Sequence, residues 1–201
     1  VRRMRRLRHR GLVFDFFRRE IAGEFIDGFS ETLPPHASVL LSIHAAAGRP
    51  QFLSTDRHIT QVGIENLRCC SACDRSNPKD EAHRWMTVTM ENVCDAWVRQ
   101  VVFEHFAGSS VAVWETARRV TVEDCKSLAP VSEIGGQRRF TFWTTGQQVL
   151  FQRLYAEYGY HDFAVGFCAA GPNAFVQCQS NRPFSFSGGI DSWASGALFD
   201  I

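Results

Sequence analysis

VTVEDC (residues 120–125) and VLFQRL (149–154) carry one short pattern, and its return along the chain decides the fold. Each opens apolar, any residue, apolar, then Glu or Gln: Val120-Thr121-Val122-Glu123 and Val149-Leu150-Phe151-Gln152. Val101-Val102-Phe103-Glu104 and Ala174-Phe175-Val176-Gln177 read the same way, with Val62-Gly63-Ile64-Glu65 as an earlier copy. A second set of short apolar segments precedes or separates them: MTVTM (86–90), VAVW (111–114), FTFW (140–143) and FAVGF (163–167). From residue 85 onward the chain therefore reads as pairs of strand, turn, strand. The four copies from Val101 on start 19, 29 and 25 residues apart, a period in the range of solenoids.

Alternation puts Val120 and Val122, or Val149 and Phe151, on one face of a strand. A strand of three to five residues cannot bury that face alone; stacking the next copy over it can, which is the stabilising logic of a parallel β-helix. The Glu or Gln at the fourth place then turns outward or into a corner. Other repeats fit less well. There is no Leu and Asn ladder for a leucine-rich repeat, no 3.6-residue period after residue 85 for a helical repeat, and no four-strand blade of about 40–45 residues for a propeller.

Working outward, residues 13–29 (VFDFFRREIAGEFIDGF) space Phe14, Phe17, Ile21 and Phe25 as an amphipathic helix would. VLLSI (39–43) and QFL (51–53) are expected as early strands. DRSNPKDEAH (74–83) and SLAPVSEIGGQRR (127–139) read as inserted loops, the second accounting for the long 29-residue step. The expected organisation is a basic, partly helical region and candidate cap over 1–50, followed by parallel β-helix rungs over 51–201. The chain opens with Val1 and closes on GALFDI inside an apolar run, so a piece of something longer is expected.

The 201 residues are 45% hydrophobic and 12% aromatic, ample for a core and too apolar for general disorder. Lys and Arg total 22 against 21 Asp and Glu. Six of those Arg lie in residues 1–10, which leaves 16 basic and 21 acidic groups for the rest, a net charge of −5. Such a body does not gather nucleic acid by its global field. No run approaches the ~18 apolar residues of a membrane span, and Asp15 and Arg18 interrupt any signal-type segment. Seven cysteines in irregular spacing argue against a complete disulfide framework. Cys70 and Cys73 form a C-x2-C pair with no second pair at zinc-site spacing, so buried free thiols are the expectation.

The inserted loops and a later turn, YGYHDF (158–163), bring charges to successive rungs: His83, Arg84, then Glu133, Arg138, Arg139, then Tyr160, His161, Asp162. If the loops leave one side of the coil they meet, because stacked strands lie about 4.8 Å apart. That set suits eliminative cleavage of a uronate polysaccharide. Arg neutralises the carboxylate by a bidentate pair, and His or Tyr removes one proton and supplies another. The candidate catalytic residues are His83, Arg84, His161 and Tyr160; the candidate substrate contacts are Trp85, Glu133, Arg138, Arg139 and Asp162. A hydrolytic alternative would pair Glu133 with Asp162 or Asp191. A structural alternative makes the loop His and Asp turn hydrogen bonds, and Trp114 and Trp143 packing residues. No cofactor is required by any motif; calcium is the one ion with oxygen ligands to hand, at Asp74, Asp80 and Glu81.

HRWMTVTMENV (83–93), GQQVLFQRLYAEYGYHDFAVG (146–166) and GPNAFVQCQS (171–180) resemble the pectate-lyase-like right-handed parallel β-helix superfamily, over roughly residues 52–201. The resemblance implies a right-handed coil, a secreted or periplasmic location, an acidic polysaccharide partner and lyase, hydrolase or epimerase activity. A monomer is expected, and a non-catalytic glycan-binding or structural module is the alternative. Two departures stand out: the R-x-P-x-x-R signature of pectate lyases and the D-D dipeptide of polygalacturonase-type hydrolases are both missing.

Overall fold

The computed structural model describes residues 11–15, 20–25, 41–45, 58–191 and 193–201. Every element among them is a strand. Chain contacts divide the protein into two units, Val1–Ile59 and Thr60–Ile201.

In the first unit, β1 (Gly11–Asp15) is the centre of a three-stranded antiparallel sheet, flanked by β2 (Glu20–Phe25) and β3 (Leu41–Ala45). The helix expected over 13–29 is thereby corrected. Phe14 lies in β1 opposite Ile21 of β2, and Phe25 pairs with Gly11. The same apolar residues satisfy both periods over so short a run. The Val and Phe content of GLVFD favours the pleated alternative, and a register shift between Val13 and Phe14 absorbs the mismatch with strict alternation. Phe17 and residues 26–29 lie outside the described residues, as do the expected strand at 51–53 and the basic residues 1–10. The strand expected at 39–43 overlaps β3.

The second unit follows β4 (Ile59–Thr60) with parallel strands laid rung upon rung. β5 (Gly63–Cys70) and β6 (Val88–Met90) form one rung; β7 (Val93–Glu104) and β8 (Val111–Val113) form the next. From there each rung has three strands. β9 (Arg118–Glu123), β10 (Lys126–Leu128) and β11 (Phe140–Thr144) are followed by β12 (Gln147–Gln152), β13 (Tyr155–Glu157) and β14 (His161–Gly166). β15 (Asn173–Val176), β16 (Gln179–Asn181), β17 (Gly188–Ile190) and β18 (Ala197–Phe199) continue the series. All pairings in this unit are parallel. The result is an all-β, solenoid-like stack of curled sheets.

The register differs from the expected one in an instructive way. Val120 sits beside Val149, as the shared pattern requires. Val149, however, faces Asn173 and not Ala174, and Val120 faces Ala96 and not Val101. A rung can hold the apolar, any, apolar pattern twice, as β7 does at Ala96-Trp97-Val98 and Val101-Val102-Phe103, and Val101 belongs to the second run, where Val102 pairs with Lys126. The true interior column is Val98, Val122, Phe151, Phe175 and Phe199, with steps of 24, 29, 24 and 24 residues. Phe151, Phe175 and Phe199 stack face to face, with ring centroids 4.6 and 4.9 Å apart and planes within 5°. Phe142 and Phe163 stack at 5.9 Å on the opposing sheet, and Phe103 meets Phe142 edge-on across the core.

Corners are made by residues in the left-handed region, and they too are stacked. One corner runs Asn66, Gln100, Asp124, Arg153 and Gln177, with φ between 52° and 58°; another runs Gln61, Asp95, Arg119 and Gln148, with φ between 52° and 57°; a third runs His105, Ala129, Tyr158 and Arg182. A non-glycine residue there costs on the order of 1–2 kcal/mol. Stacking lets neighbouring rungs offset that cost with side-chain pairs: Arg119 Nε donates to Asp95 at 2.6 Å and Arg153 Nε to Asp124 at 2.7 Å. The polar fourth places of the sequence pattern form a matching outer ladder, with Arg99 on Glu65 at 2.5 Å and the Gln152 amide donating to Glu123 at 2.6 Å.

Candidate functional site

All long insertions leave the stack beyond the third corner. Residues 71–87, 129–139 and 182–187 each connect a second-run strand to the opposing sheet on alternate rungs, the first, third and fifth. The loops touch one another. Arg138 forms a two-pronged ion pair with Glu81, its Nη2 donating to Oε2 at 3.0 Å, and Lys79 pairs with Glu133 at 3.1 Å. The Glu133 amide also donates to Glu81 at 3.3 Å. Trp85 donates its indole N–H to the Glu81 carbonyl at 3.2 Å, and the Arg138 guanidinium lies 5.4 Å from the centre of its ring. Arg138 holds the Glu81 carboxyl below its ordinary pKa, chiefly through that hydrogen bond.

The residues read as candidates divide into two groups. Four are built into the frame. His83 uses both ring nitrogens: Nδ1 meets Ser71 Oγ at 2.8 Å, and Nε2 meets the carbonyls of Val131 at 2.9 Å and Asp80 at 3.1 Å. Arg139 is buried, with Nε and Nη2 donating to Ser132 at 3.0 and 2.8 Å and Nη1 to the Tyr158 carbonyl at 3.1 Å; burial lowers its pKa. His161 is 6% exposed and its Nδ1 meets the Phe186 carbonyl at 2.7 Å, with its ring against Phe140, Tyr160 and Phe186. Asp162 is fully buried and accepts from Thr141 at 3.0 Å and Ser180 at 2.5 Å. Burial raises its pKa. Gly159 is required beside it, because a Cβ there would overlap the Asp162 carboxylate.

The second group is accessible. Arg84, Trp85 and Glu133 are exposed, and Arg138 and Tyr160 are half-buried. They share the edge with Met86, Ile134, Phe184 and Phe186, exposed apolar side chains at 37%, 47%, 50% and 58%. Phe184 is tied to the turn by its amide on the Gly159 carbonyl at 2.8 Å and lies 5.7 Å under the Arg139 guanidinium. Sequence reasoning missed these phenylalanines, since Phe184 and Phe186 follow the last of the repeated strand patterns and carry no motif of their own. It also offered Glu81 only as an oxygen ligand for calcium, although Glu81 joins the two loops.

The structural alternative for Trp114 and Trp143 fits: they meet edge-on at 4.9 Å within a small apolar cluster with Phe140, Ala112 and Ala164. The carboxylates available for calcium do not converge. Asp74 caps Ser76, Asp80 accepts the amides of Asp74 and Ala82, and Glu81 is held by Arg138. Among the described residues no group of three His, Cys, Asp or Glu is arranged to hold a metal, all seven cysteines are free, and no helix is long and apolar enough to cross a membrane. Comparison with known proteins finds no matching family model, curated protein or solved structure.

Proposed function

We propose that the chain is a right-handed β-helix of the pectate-lyase-like kind that recognises a glycan along the loop edge, as a binding module in the surface it presents. One observation carries this reading. His83, Arg139, His161 and Asp162 are committed to internal hydrogen bonds, whereas Trp85, Phe184 and Phe186 are exposed among polar groups on the same edge. Sugar rings offer apolar faces to aromatic side chains and hydroxyls to charged ones. Trp85 with Arg138 and Glu81 supplies both kinds of contact. The reading implies a partner outside the cytoplasm, with the polysaccharide crossing several rungs.

The test is a titration of the full chain with uronate-rich and neutral polysaccharides, followed by affinity electrophoresis. Trp85→Ala should weaken binding roughly tenfold, the loss of one aromatic contact, with unfolding unchanged. No binding to any polysaccharide, or equal binding by Trp85→Ala, would overturn the proposal. Ultraviolet absorbance from an unsaturated product in the same mixtures would move the assignment from module to lyase.

A further inference from the structure

The free thiols do not all lie inside the stack. Cys94, Cys125 and Cys178 are buried, Cys69 and Cys73 are half-buried, and Cys70 and Cys168 are exposed. Burial pushes Cys125 up to about 12 and Cys178 up to about 11, which keeps such thiols protonated and inert. Burial, and then the charge of Asp80, push Cys73 up as well. The two exposed thiols differ in their surroundings. The Cys168 thiol has no hydrogen-bond partner among the described residues, whereas Cys70 Sγ lies 3.4 Å from Nδ1 of His105.

The ladder itself makes this pair. Cys70 is the last residue of β5 and stands in register with Glu104 of β7, so the residue after Glu104 is delivered beside it. His105 takes a left-handed backbone angle, φ 65°, at the third corner, and its amide donates to the Leu128 carbonyl of the following rung at 3.1 Å. The Ser71 amide donates to the Glu104 carbonyl at 2.9 Å, which fixes the chain just beyond Cys70. The Glu104 carboxylate is met by Arg68 at 2.5 and 3.1 Å, so this neighbouring anion is already paired. Nε2 of His105 has no partner among the described residues. The ring can therefore carry its proton on Nε2 and present Nδ1 as an acceptor. The other contact of the thiol is longer, 3.8 Å to the Ser71 carbonyl. A thiol within hydrogen-bond reach of an imidazole is the arrangement of a base-assisted nucleophile.

We propose that Cys70 is a reactive thiol for small disulfides, with His105 as the base that takes its proton. The S–H proton passes to Nδ1, the Cys70 sulfur bonds to one sulfur of the disulfide, and the S–S bond of that disulfide breaks. The departing thiolate takes the proton back from the imidazolium. One protein thiol is thereby oxidised to a mixed disulfide, and one small thiol is released. The inference does not rest on the glycan reading. Timed exposure of the full chain to glutathione disulfide at neutral pH, with acid quench and peptide mapping by mass spectrometry, follows each cysteine separately. An ordinary thiol is only a few per cent ionised at that pH, so Cys70 should be modified about tenfold faster than Cys168. His105→Asn keeps a residue that tolerates the left-handed corner and removes the base; it should slow Cys70 about tenfold and leave Cys168 unchanged. In the natural protein the ratio of the two rates should fall toward one by about pH 10, where a thiol ionises unaided. Cys70 no faster than Cys168 at neutral pH, an unaltered Cys70 rate in His105→Asn, or a ratio that does not fall with pH would overturn the proposal. The first and last need no variant, so they decide the matter even if His105→Asn fails to fold.

Discussion

Phe151→Ala is the most direct probe of the stack. Phe151 is fully buried, lies against Val122 on one side and is stacked on Phe175 at 4.6 Å on the other. Truncating a buried Phe costs about 3–5 kcal/mol, against a total stability on the order of 5–15 kcal/mol. For a chain of this size, 4 kcal/mol corresponds to a fall in Tm of about 12 °C. The neighbouring Leu150 is the internal control. It points the other way along the same strand and is only partly buried, so Leu150→Ala should cost about 1 kcal/mol. Urea unfolding followed by circular dichroism measures both, and a double-mutant cycle with Phe175→Ala should return a coupling of about 1 kcal/mol. A register displaced by one residue would exchange the two faces. If Leu150→Ala costs as much as Phe151→Ala, or if Phe151 and Phe175 prove additive, the stacked interior column is wrong.

Arg139→Ala should destabilise by about 3 kcal/mol, because the buried carbonyls of Ser132 and Tyr158 lose their donor; Arg139→Lys should recover only part of it, since a lysine cannot span both. Gly159→Ala should cost about 1–3 kcal/mol through overlap with Asp162, and much less in an Asp162→Ala background, as thermal unfolding of the four proteins would reveal. The raised pKa of Asp162 gives its pH dependence a definite sign. Its stabilising share is complete below the ordinary value of 3.8 and is lost as pH rises through the folded-state value. The advantage of the natural protein over Asp162→Asn should therefore shrink as pH rises above 3.8; an advantage that grows with pH would contradict a carboxyl raised by burial.

Much of the stack was legible because a two-residue period in Val and Phe has only one economical use once it recurs. Val120-Thr121-Val122-Glu123 and Val149-Leu150-Phe151-Gln152 were matched in their true register. What could not be read was that one rung contains two such runs. Gln100 bends β7 by its backbone angle alone, with no Gly or Pro to mark the corner, so Val101 looked like the counterpart of Val120. The single-residue slip at Ala174 has a related cause: Asn173 occupies an interior place because its side chain bonds the Val149 amide and the Gly146 carbonyl, which hydropathy does not register. The meeting of the 80–85 and 133–139 loops followed from the stacking. The inward turn of His161 and Asp162 did not, since their partners Phe186 and Ser180 lie a rung away.

The single-residue corners divide the chain into places that tolerate added length and places that do not. At Asp124 or Arg153 one extra amino acid would break a side-chain pair and displace every rung after it. Beyond Ala129 the path has already accepted extra residues without disturbing the strands on either side. A foreign peptide or affinity tag introduced near Gly135–Gly136 should leave the protein folded, whereas the same peptide next to Gln100 should not, which makes the loop margin the natural seat for grafted specificity.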